Sequence, residues 1–293
     1  MIWVIGDRGM LGTELHGLLA DAGVDHFGTD RECDIADGKA LREAAMGRMP
    51  DWIVNCAAYT AVDAAETEEE LAHRINAQGA GNVAACAREK GAAVIHISTD
   101  YVFSGDGSEP YGEDDQVSPR CAYGRTKTDG EEMVRRESAR HFILRTAWLY
   151  GRHGGNFVHT MLRLMRERRS MGVVADQKGS PTWTRDLAAA VVHIITTGSG
   201  KFGTYHFTDE GETTWYDFAR EIARLGLATG LLEREIEIRP LSTAEYPTRA
   251  RRPAYSVLSK RKVREVLGCV TPDWKVSLGL FMNDLAQNGL GAR

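Results

Sequence analysis

The chain opens on Met1-Ile2-Trp3-Val4-Ile5, a continuous apolar run, and passes at once into Gly6-Asp7-Arg8-Gly9-Met10-Leu11-Gly12. A stretch apolar at every residue suits a parallel strand buried on both faces. Leu11, Leu15, Leu18 and Leu19 then recur along one side of a helical pattern. Strand, glycine turn and helix, in that order, is the context a dinucleotide fingerprint requires. Gly6 permits the tight turn. Gly9 lets backbone amides approach a pyrophosphate, and Gly12 lets helix and strand pack closely. The helix N-terminus adds oriented amides and a partial positive charge. The spacing is G-x-x-G-x-x-G, one residue wider than the commoner form. The plain alternative is a strand-to-helix turn that holds no ligand.

Strand-like and helix-like segments alternate through the first half, the sign of a doubly wound α/β sheet. Residues 24–30, 51–58, 92–101 and 141–148 read as further strands. The predicted class is therefore α/β, a doubly wound parallel Rossmann sheet with a smaller C-terminal α/β substrate domain. Residues 1–150 form the dinucleotide-binding domain, which also draws on parts of 170–208. Residues 151–293 form mainly the substrate domain, and the glycines between 151 and 155 mark the change. Beyond them, 157–168 and 186–196 read as helices, 173–184 as an irregular crossing with a strand in it, and 203–207 as a strand. Residues 216–225 and 260–267 read as helices. The C-terminal portion is expected to pack as a lid, with the active site between the two parts.

Asp30, at the end of the second strand, is placed to accept hydrogen bonds from an adenosine ribose, while Arg31 beside it suits a 2′-phosphate. With both present, NADH and NADPH stay equally open. Cys33, Asp34 and Ile35 are placed to flank the adenine. The small-residue turn Ala57-Ala58-Tyr59-Thr60 would let the cofactor lie close to backbone. The acidic run 66–70 reads as the solvated first turn of the helix over 76–87, where acids suit the helix dipole.

Residues 92–101 end in Ser98-Thr99-Asp100-Tyr101, hydroxyls and a carboxylate at the end of an apolar strand. Ligands of open parallel sheets bind beyond the carboxyl ends of the strands. Thr99 is thus positioned to donate a hydrogen bond to a substrate carbonyl, with a turn cap as its plain alternative. Tyr123 and Lys127 stand four apart, so on a helix they share one face. An ammonium near a phenol favours phenolate and lowers the phenol's pKa. Such a phenol can exchange a proton with a sugar oxygen. Pairs of this kind are common on solvated helices, so the weight comes from the glycine turn and the Thr99 strand.

The 293 residues carry a net charge of −5 and no strongly basic face, so nucleic acid is a poor partner. Arg249, Arg251, Arg252, Lys260, Arg261, Lys262 and Arg264 gather in the C-terminal third. For Arg252, contact with the phosphates of a nucleotide-linked substrate and simple solvation weigh equally; the others read as solvated. No stretch reaches the apolar length of a membrane span, and no signal segment is evident. Five scattered cysteines show no metal spacing and an odd count, which predicts reduced thiols, a cytoplasmic location and no metal.

Beside Gly6-x-x-Gly9-x-x-Gly12 stand Asn55-Cys56-Ala57-Ala58-Tyr59-Thr60-Ala61-Val62-Asp63, Ser98-Thr99-Asp100-Tyr101-Val102-Phe103 and Tyr123-Gly124-Arg125-Thr126-Lys127. Arg145-Thr146-Ala147-Trp148-Leu149-Tyr150-Gly151 and Arg252-Pro253-Ala254-Tyr255-Ser256 complete the set. Over nearly its whole length the chain resembles the extended short-chain dehydrogenase/reductase superfamily of nucleotide-sugar enzymes and, within it, the dTDP-4-dehydrorhamnose reductase family. That resemblance implies Tyr123 as proton donor, Lys127 on the nicotinamide ribose, and Thr99 on the reacting oxygen. It implies contact of Asp100 and Trp148 with the sugar nucleotide; Tyr101 and Arg252 are counted with them. Met10, Leu11, Asp34, Ile35, Ala58, Tyr59 and Thr60 would line the dinucleotide with Gly9. The implied reaction reduces the C4 ketone of a dTDP-linked 6-deoxy-4-ketohexose with NADPH or NADH, toward dTDP-rhamnose for cell-surface polysaccharide.

Some relatives bind magnesium at a dimer contact. Glu14 and Asp186 match that pattern, but Arg185 stands where a second adjacent acid would be expected. A cation beside a cation is unfavourable, which argues against the metal and that dimer, leaves monomer and homodimer both open, and returns Glu14 to a solvated place in a first helical turn. Three rival functions are weighed. A 4,6-dehydratase needs an added acid where Tyr101 stands. A 4-epimerase would use the same Tyr and Lys. A non-catalytic nucleotide-binding subunit would not need Thr99, Tyr123 and Lys127 together.

Overall fold

The computed structural model describes residues 1–289. Six strands form one sheet: β1 (Ile2–Ile5), β2 (His26–Thr29), β3 (Trp52–Asn55), β4 (Ala93–Thr99), β5 (His141–Thr146) and β6 (Gly203–His206). Their order is β2-β1-β3-β4-β5-β6, and every neighbouring pair is parallel. The chain leaves β1 to one side for β2 and returns to the other side for β3. A crevice therefore opens beyond the carboxyl ends of β1 and β3, where ligands of such sheets bind.

Each sheet face is covered by helices, as continuous apolar strands demand. On one face Met10–Asp21 and Thr184–Thr196 bring Leu15, Leu19, Leu187 and Val191 against Val4, Val54, Ile95 and Leu144. On the other, Gly38–Ala44, Ala80–Lys90 and Ala122–Glu137 bring Leu41, Val83, Ala84 and Val134 against Trp3, Ile53, Val94 and Ile143. A separate core gathers Tyr150, Met161, Phe218, Ile222, Phe281 and Leu285. It lies among helices Phe157–Glu167, Trp215–Ala228 and Trp274–Asn288 and the parallel pair Ser170–Val174 and Glu237–Leu241. Burying a side chain such as Phe281 there contributes roughly 1.5–3 kcal/mol.

The glycine turn follows from sterics. A β-carbon at residue 12 would overlap the carbonyl oxygen of Gly6 and the backbone of Asp7. Gly12→Ala is expected to cost about 1–3 kcal/mol through this overpacking, seen as a lower Tm. An unchanged Tm would show that the turn can open to admit the methyl group.

Some segments differ from the reading above. Gly38–Ala44 and Trp274–Asn288 are helices that the sequence reading did not assign. The strand expected within 173–184 lies mostly ahead of it, at Ser170–Val174, and only two short pairings follow, Lys178–Gly179 and Thr182–Trp183. The helix expected over 76–87 is longer and interrupted: Glu69–His73 passes through a π turn, Arg74–Gly79, into Ala80–Lys90.

The acidic run is not simply solvated. Glu66 accepts from the Ala122 amide at 2.7 Å, Glu68 from the Tyr59 hydroxyl at 2.7 Å, and Glu69 pairs with Arg125 at 2.8 Å. Placed at the N-terminus of Ala122–Glu137, Glu66 satisfies an orphan amide and complements that helix's dipole.

Candidate active site

Two elements bring the chemistry together. β4 ends at Thr99 on the sheet's carboxyl edge, and Ala122–Glu137 starts beside it. Residue 124 must be glycine for this approach, since a β-carbon there would overlap the carbonyl oxygen of Tyr101. The Tyr123 phenol, half-buried, then comes within reach of the Thr99 hydroxyl. Tyr101 meets the Tyr123 ring edge-on, with centroids 5.6 Å apart. One turn along, Lys127 is 2% exposed.

The electrostatics correct one expectation. Burial pushes the Tyr123 phenol well above its ordinary pKa, opposed by the Thr99 hydroxyl, and Lys127 has no part in the shift. The reason is where the ammonium group goes. Lys127 Nζ donates to the carbonyl of Ile97 at 2.6 Å and lies 3.3 Å from His96 Nε2, on the sheet side of the helix. Burial in turn brings Lys127 down to about 8. A phenol so shifted keeps its proton at neutral pH and is built to give it away rather than to take one.

Asp100 is buried, and burial raises its carboxyl to about 6. Its Oδ1 accepts from Thr99 Oγ1 at 3.0 Å, while Oδ2 has no partner. The Ser256 hydroxyl stands beside this carboxyl without itself finding a hydrogen-bonding partner of good geometry. An acceptor left free in a buried position suits a ligand hydroxyl.

The crevice at β1 and β3 carries the predicted cofactor residues. Gly6 and Gly12 form the turn, with Gly9 as N-cap of the helix. Met10 is half-buried; Leu11 belongs to the core, so its part in a ligand site is limited to its backbone. Asp30 is half-buried at the end of β2 and Arg31 is exposed beside it. Asp34 is exposed and pairs with Arg74 at 2.6 Å, whereas Ile35 turns into the core. Ala57, Ala58 and Tyr59 are half-buried and Thr60 is exposed.

Two residues that the sequence reading gave no role of their own hold that turn. Asn55 Oδ1 accepts from the Ala57 amide at 3.2 Å. Asn76, in the π turn, accepts from the Tyr59 amide at 2.8 Å and donates to the Tyr59 carbonyl at 3.1 Å and to Thr126 Oγ1 at 3.1 Å. Little in the sequence singles it out, since Gln78 and Asn82 stand in the same alanine-rich stretch; π turns recur at functional sites.

A cavity of about 570 Å³ adjoins the Tyr101 edge of the site. Asp63, Tyr101 and Arg252 line it on one side, and Phe157, Gln177 and Trp215 on the other. Arg252 donates to the Tyr101 hydroxyl at 3.0 Å and pairs with Asp63. Among the other basic residues, Arg251 pairs with Asp106, and Lys260 and Arg264 with Glu210.

Trp148 does not line the cavity directly. It stacks on Trp215, centroids 3.5 Å apart, and its backbone takes a left-handed conformation, φ 48°. A non-glycine residue held there costs roughly 1–2 kcal/mol and is a mark of functional sites. Trp148→Ala would unseat Trp215, and KM for the cavity's ligand is expected to rise about three- to tenfold, the worth of one aromatic pair. An unchanged KM would leave Trp148 a packing residue.

The magnesium pattern does not assemble. Asp186 turns inward to Ser277 Oγ at 2.6 Å and towards Asp209. Glu14, contrary to the solvated expectation, is half-buried in a cavity of about 230 Å³ with Arg152, His153, Arg185 and Asp284. Counting Asp21, two guanidiniums and an imidazole stand among three carboxylates there, and the adjacent cations make a poor donor set for a hard dication. Among the described residues no group of three or more His, Cys, Asp or Glu is placed to hold a metal ion. No helix among them is long and apolar enough to cross a membrane.

The family model described as RmlD substrate binding domain matches residues 1–287. A dTDP-4-dehydrorhamnose reductase of Aggregatibacter actinomycetemcomitans is 40% identical over 281 residues, covering 94% of this chain and 96% of that one. The crystal structure of a dTDP-4-dehydrorhamnose reductase from Clostridium acetobutylicum superposes with a TM-score of 0.91 at 42% identity, over 98% of this chain and 99% of that one. That of the Bacillus anthracis reductase, in complex with NADP, superposes with a TM-score of 0.90 at 38% identity, over 96% and 97%.

Proposed function

The chain belongs to the RmlD substrate binding domain family, and from that premise we propose that it is an NADPH- or NADH-dependent dTDP-4-dehydrorhamnose reductase of dTDP-rhamnose biosynthesis. The observation that carries this reading is the meeting of the Tyr123 phenol with the Thr99 hydroxyl at the carboxyl edge of the sheet. The glycine turn fits the dinucleotide: helix amides face the crevice with no β-carbon to fill it.

The bound cofactor supplies hydride for the ketone carbon. The chain's residues manage the oxygen. Thr99 turns its one hydroxyl proton from Asp100 Oδ1 to that oxygen and so stabilises charge as charge develops. Tyr123 gives the oxygen its proton, and burial keeps that phenol protonated until then. Asp100, with its free Oδ2, accepts from a sugar hydroxyl. Lys127 holds the nicotinamide ribose. Arg252 faces the diphosphate and the 570 Å³ cavity takes the nucleoside.

In this reading the six-stranded sheet binds the dinucleotide and the core around Phe218 and Phe281 shapes the sugar-nucleotide site. Unpaired, mostly buried thiols suit a reducing cytoplasm. The test is loss of nicotinamide absorbance on adding dTDP-4-dehydrorhamnose, with dTDP-L-rhamnose as product. Failure to oxidise NADPH or NADH with any keto-sugar nucleotide sinks the reading.

A further inference from the structure

Behind Lys127, Asn55 and His96 are register partners across β3 and β4, and each is 1% exposed. A line of contacts starts at the Ala57 amide, which donates to Asn55 Oδ1 at 3.2 Å. Asn55 Nδ2 lies 3.1 Å from His96 Nδ1, and His96 Nε2 lies 3.3 Å from Lys127 Nζ. Lys127 Nζ then donates to the Ile97 carbonyl at 2.6 Å.

Each contact dictates the next. The Ala57 amide must point at an oxygen, so Asn55 turns its NH2 toward the ring. An NH2 only donates, so His96 Nδ1 accepts and carries no proton. Burial first, and then the charge of Arg135, keep this imidazole neutral. A neutral imidazole has one N–H, which is therefore on Nε2, facing Nζ. A donor there requires a lone pair on Nζ, and an ammonium has none. The reverse arrangement, with Asn55 flipped, would leave the Ala57 amide facing an NH2, at about 1–3 kcal/mol.

A buried anion nearby, Glu131, favours the ammonium, but its oxygens are already taken by other donors. Glu131, one turn along the helix, accepts from Ser98 and twice from Arg145 and once from Arg135, at 2.6–2.8 Å. Burial pushes the Cys56 thiol up to about 12, and the Tyr123 phenol is raised as well, so both are neutral. Burial outweighs the pull of Glu131 and moves the amine toward its uncharged form.

We propose that His96, its tautomer fixed by Asn55 and the Ala57 amide, holds Lys127 mostly as a neutral amine in mildly alkaline solution while the dinucleotide site is empty, and that Lys127 takes up a solvent proton when cofactor binds. The second half rests on the reductase reading above. The pyrophosphate's negative charge and the ribose oxygens favour the ammonium, and Nζ turns from the ring toward them. His96 is on this view a positioning residue.

Nitrogen NMR of the imidazole-labelled protein without cofactor tests the first half; the His96 signal is the one missing in His96→Gln. The Nε2–H tautomer is expected, and an Nδ1–H ring or an imidazolium overturns the proposal. Calorimetric titration with NADH, in buffers of different ionisation enthalpy at about pH 8.5, tests the second. NADH is chosen because it lacks a titrating 2′-phosphate. Uptake of most of one proton is expected. In Asn55→Asp the carboxylate accepts from both the Ala57 amide and Nδ1–H, which reverses the tautomer, so uptake should vanish with Lys127 and His96 in place. Absent uptake in the unaltered protein, or unchanged uptake in Asn55→Asp, overturns the proposal. If neither NADH nor NADPH binds, the reductase reading fails, and the NMR tautomer still decides the role of His96; if only NADPH binds, the uptake is read with NADPH after the 2′-phosphate's own titration is subtracted. If Asn55→Asp does not fold, the tautomer and the uptake of the unaltered protein decide.

Discussion

Tyr123→Phe is expected to lower kcat by about 10²–10⁴-fold, the usual worth of a positioned general acid. The loss should fall on kcat rather than on cofactor affinity, because the ring still fills its place against Tyr101 and Thr99 while only the transferable proton is gone. Steady-state kinetics with dTDP-4-dehydrorhamnose, together with NADPH titration of the variant, separate the two. A variant as fast as the parent would take Tyr123 out of the mechanism. A lost cofactor site with kcat intact would make it a binding residue only. Since burial raises this phenol, activity should not fall through neutral pH for want of the Tyr123 proton.

Glu131→Gln is expected to be the most destabilising single change of side-chain charge, at about 3–5 kcal/mol, or on the order of 10 °C in Tm. Arg145 lies next to the carboxyl end of β5, 2% exposed, and its guanidinium meets Glu131 at 2.7 and 2.8 Å. The amide would leave that charge buried with only half its acceptors. Burial alone would raise the Glu131 carboxyl, but the bonds and charge of Arg145, then Ser98 and Arg135, outweigh it and hold it below its ordinary value. The sign follows by linkage: the stabilisation is complete above the unfolded glutamate's pKa of about 4.3 and is lost as pH falls through the lower folded value. Denaturant unfolding should therefore show a constant gap between parent and variant near neutrality that closes in acid. A gap that persists into strong acid would assign the effect to shape, not charge.

Arg145 was also a legible clue left unread. A charge within the apolar run 141–148 has to meet a partner, and the only question was which. Trp274, Leu278, Phe281, Met282 and Leu285 likewise keep the spacing of a helix face, and the structure buries them together. By contrast, nothing local marks Glu66 as the acceptor of the Ala122 amide, or Asn76 as the clamp on Tyr59; both contacts join segments far apart in the chain.

The sequence by itself determined the strand, glycine turn and helix at the N-terminus, and the common face of Tyr123 and Lys127. Those features follow from backbone geometry and side-chain volume over a few neighbouring residues, which any chain carries with it. Only the tertiary structure decided what those groups are chemically. It turned Lys127 Nζ to Ile97 and His96 instead of the phenol, raised Tyr123 instead of lowering it, and set Glu131 against Arg145. Protonation depends on how much water is excluded and which charges lie within a few ångströms. Both are fixed by residues from fourteen to thirty-one positions away, brought close when β3, β4 and β5 pair beneath the Ala122–Glu137 helix.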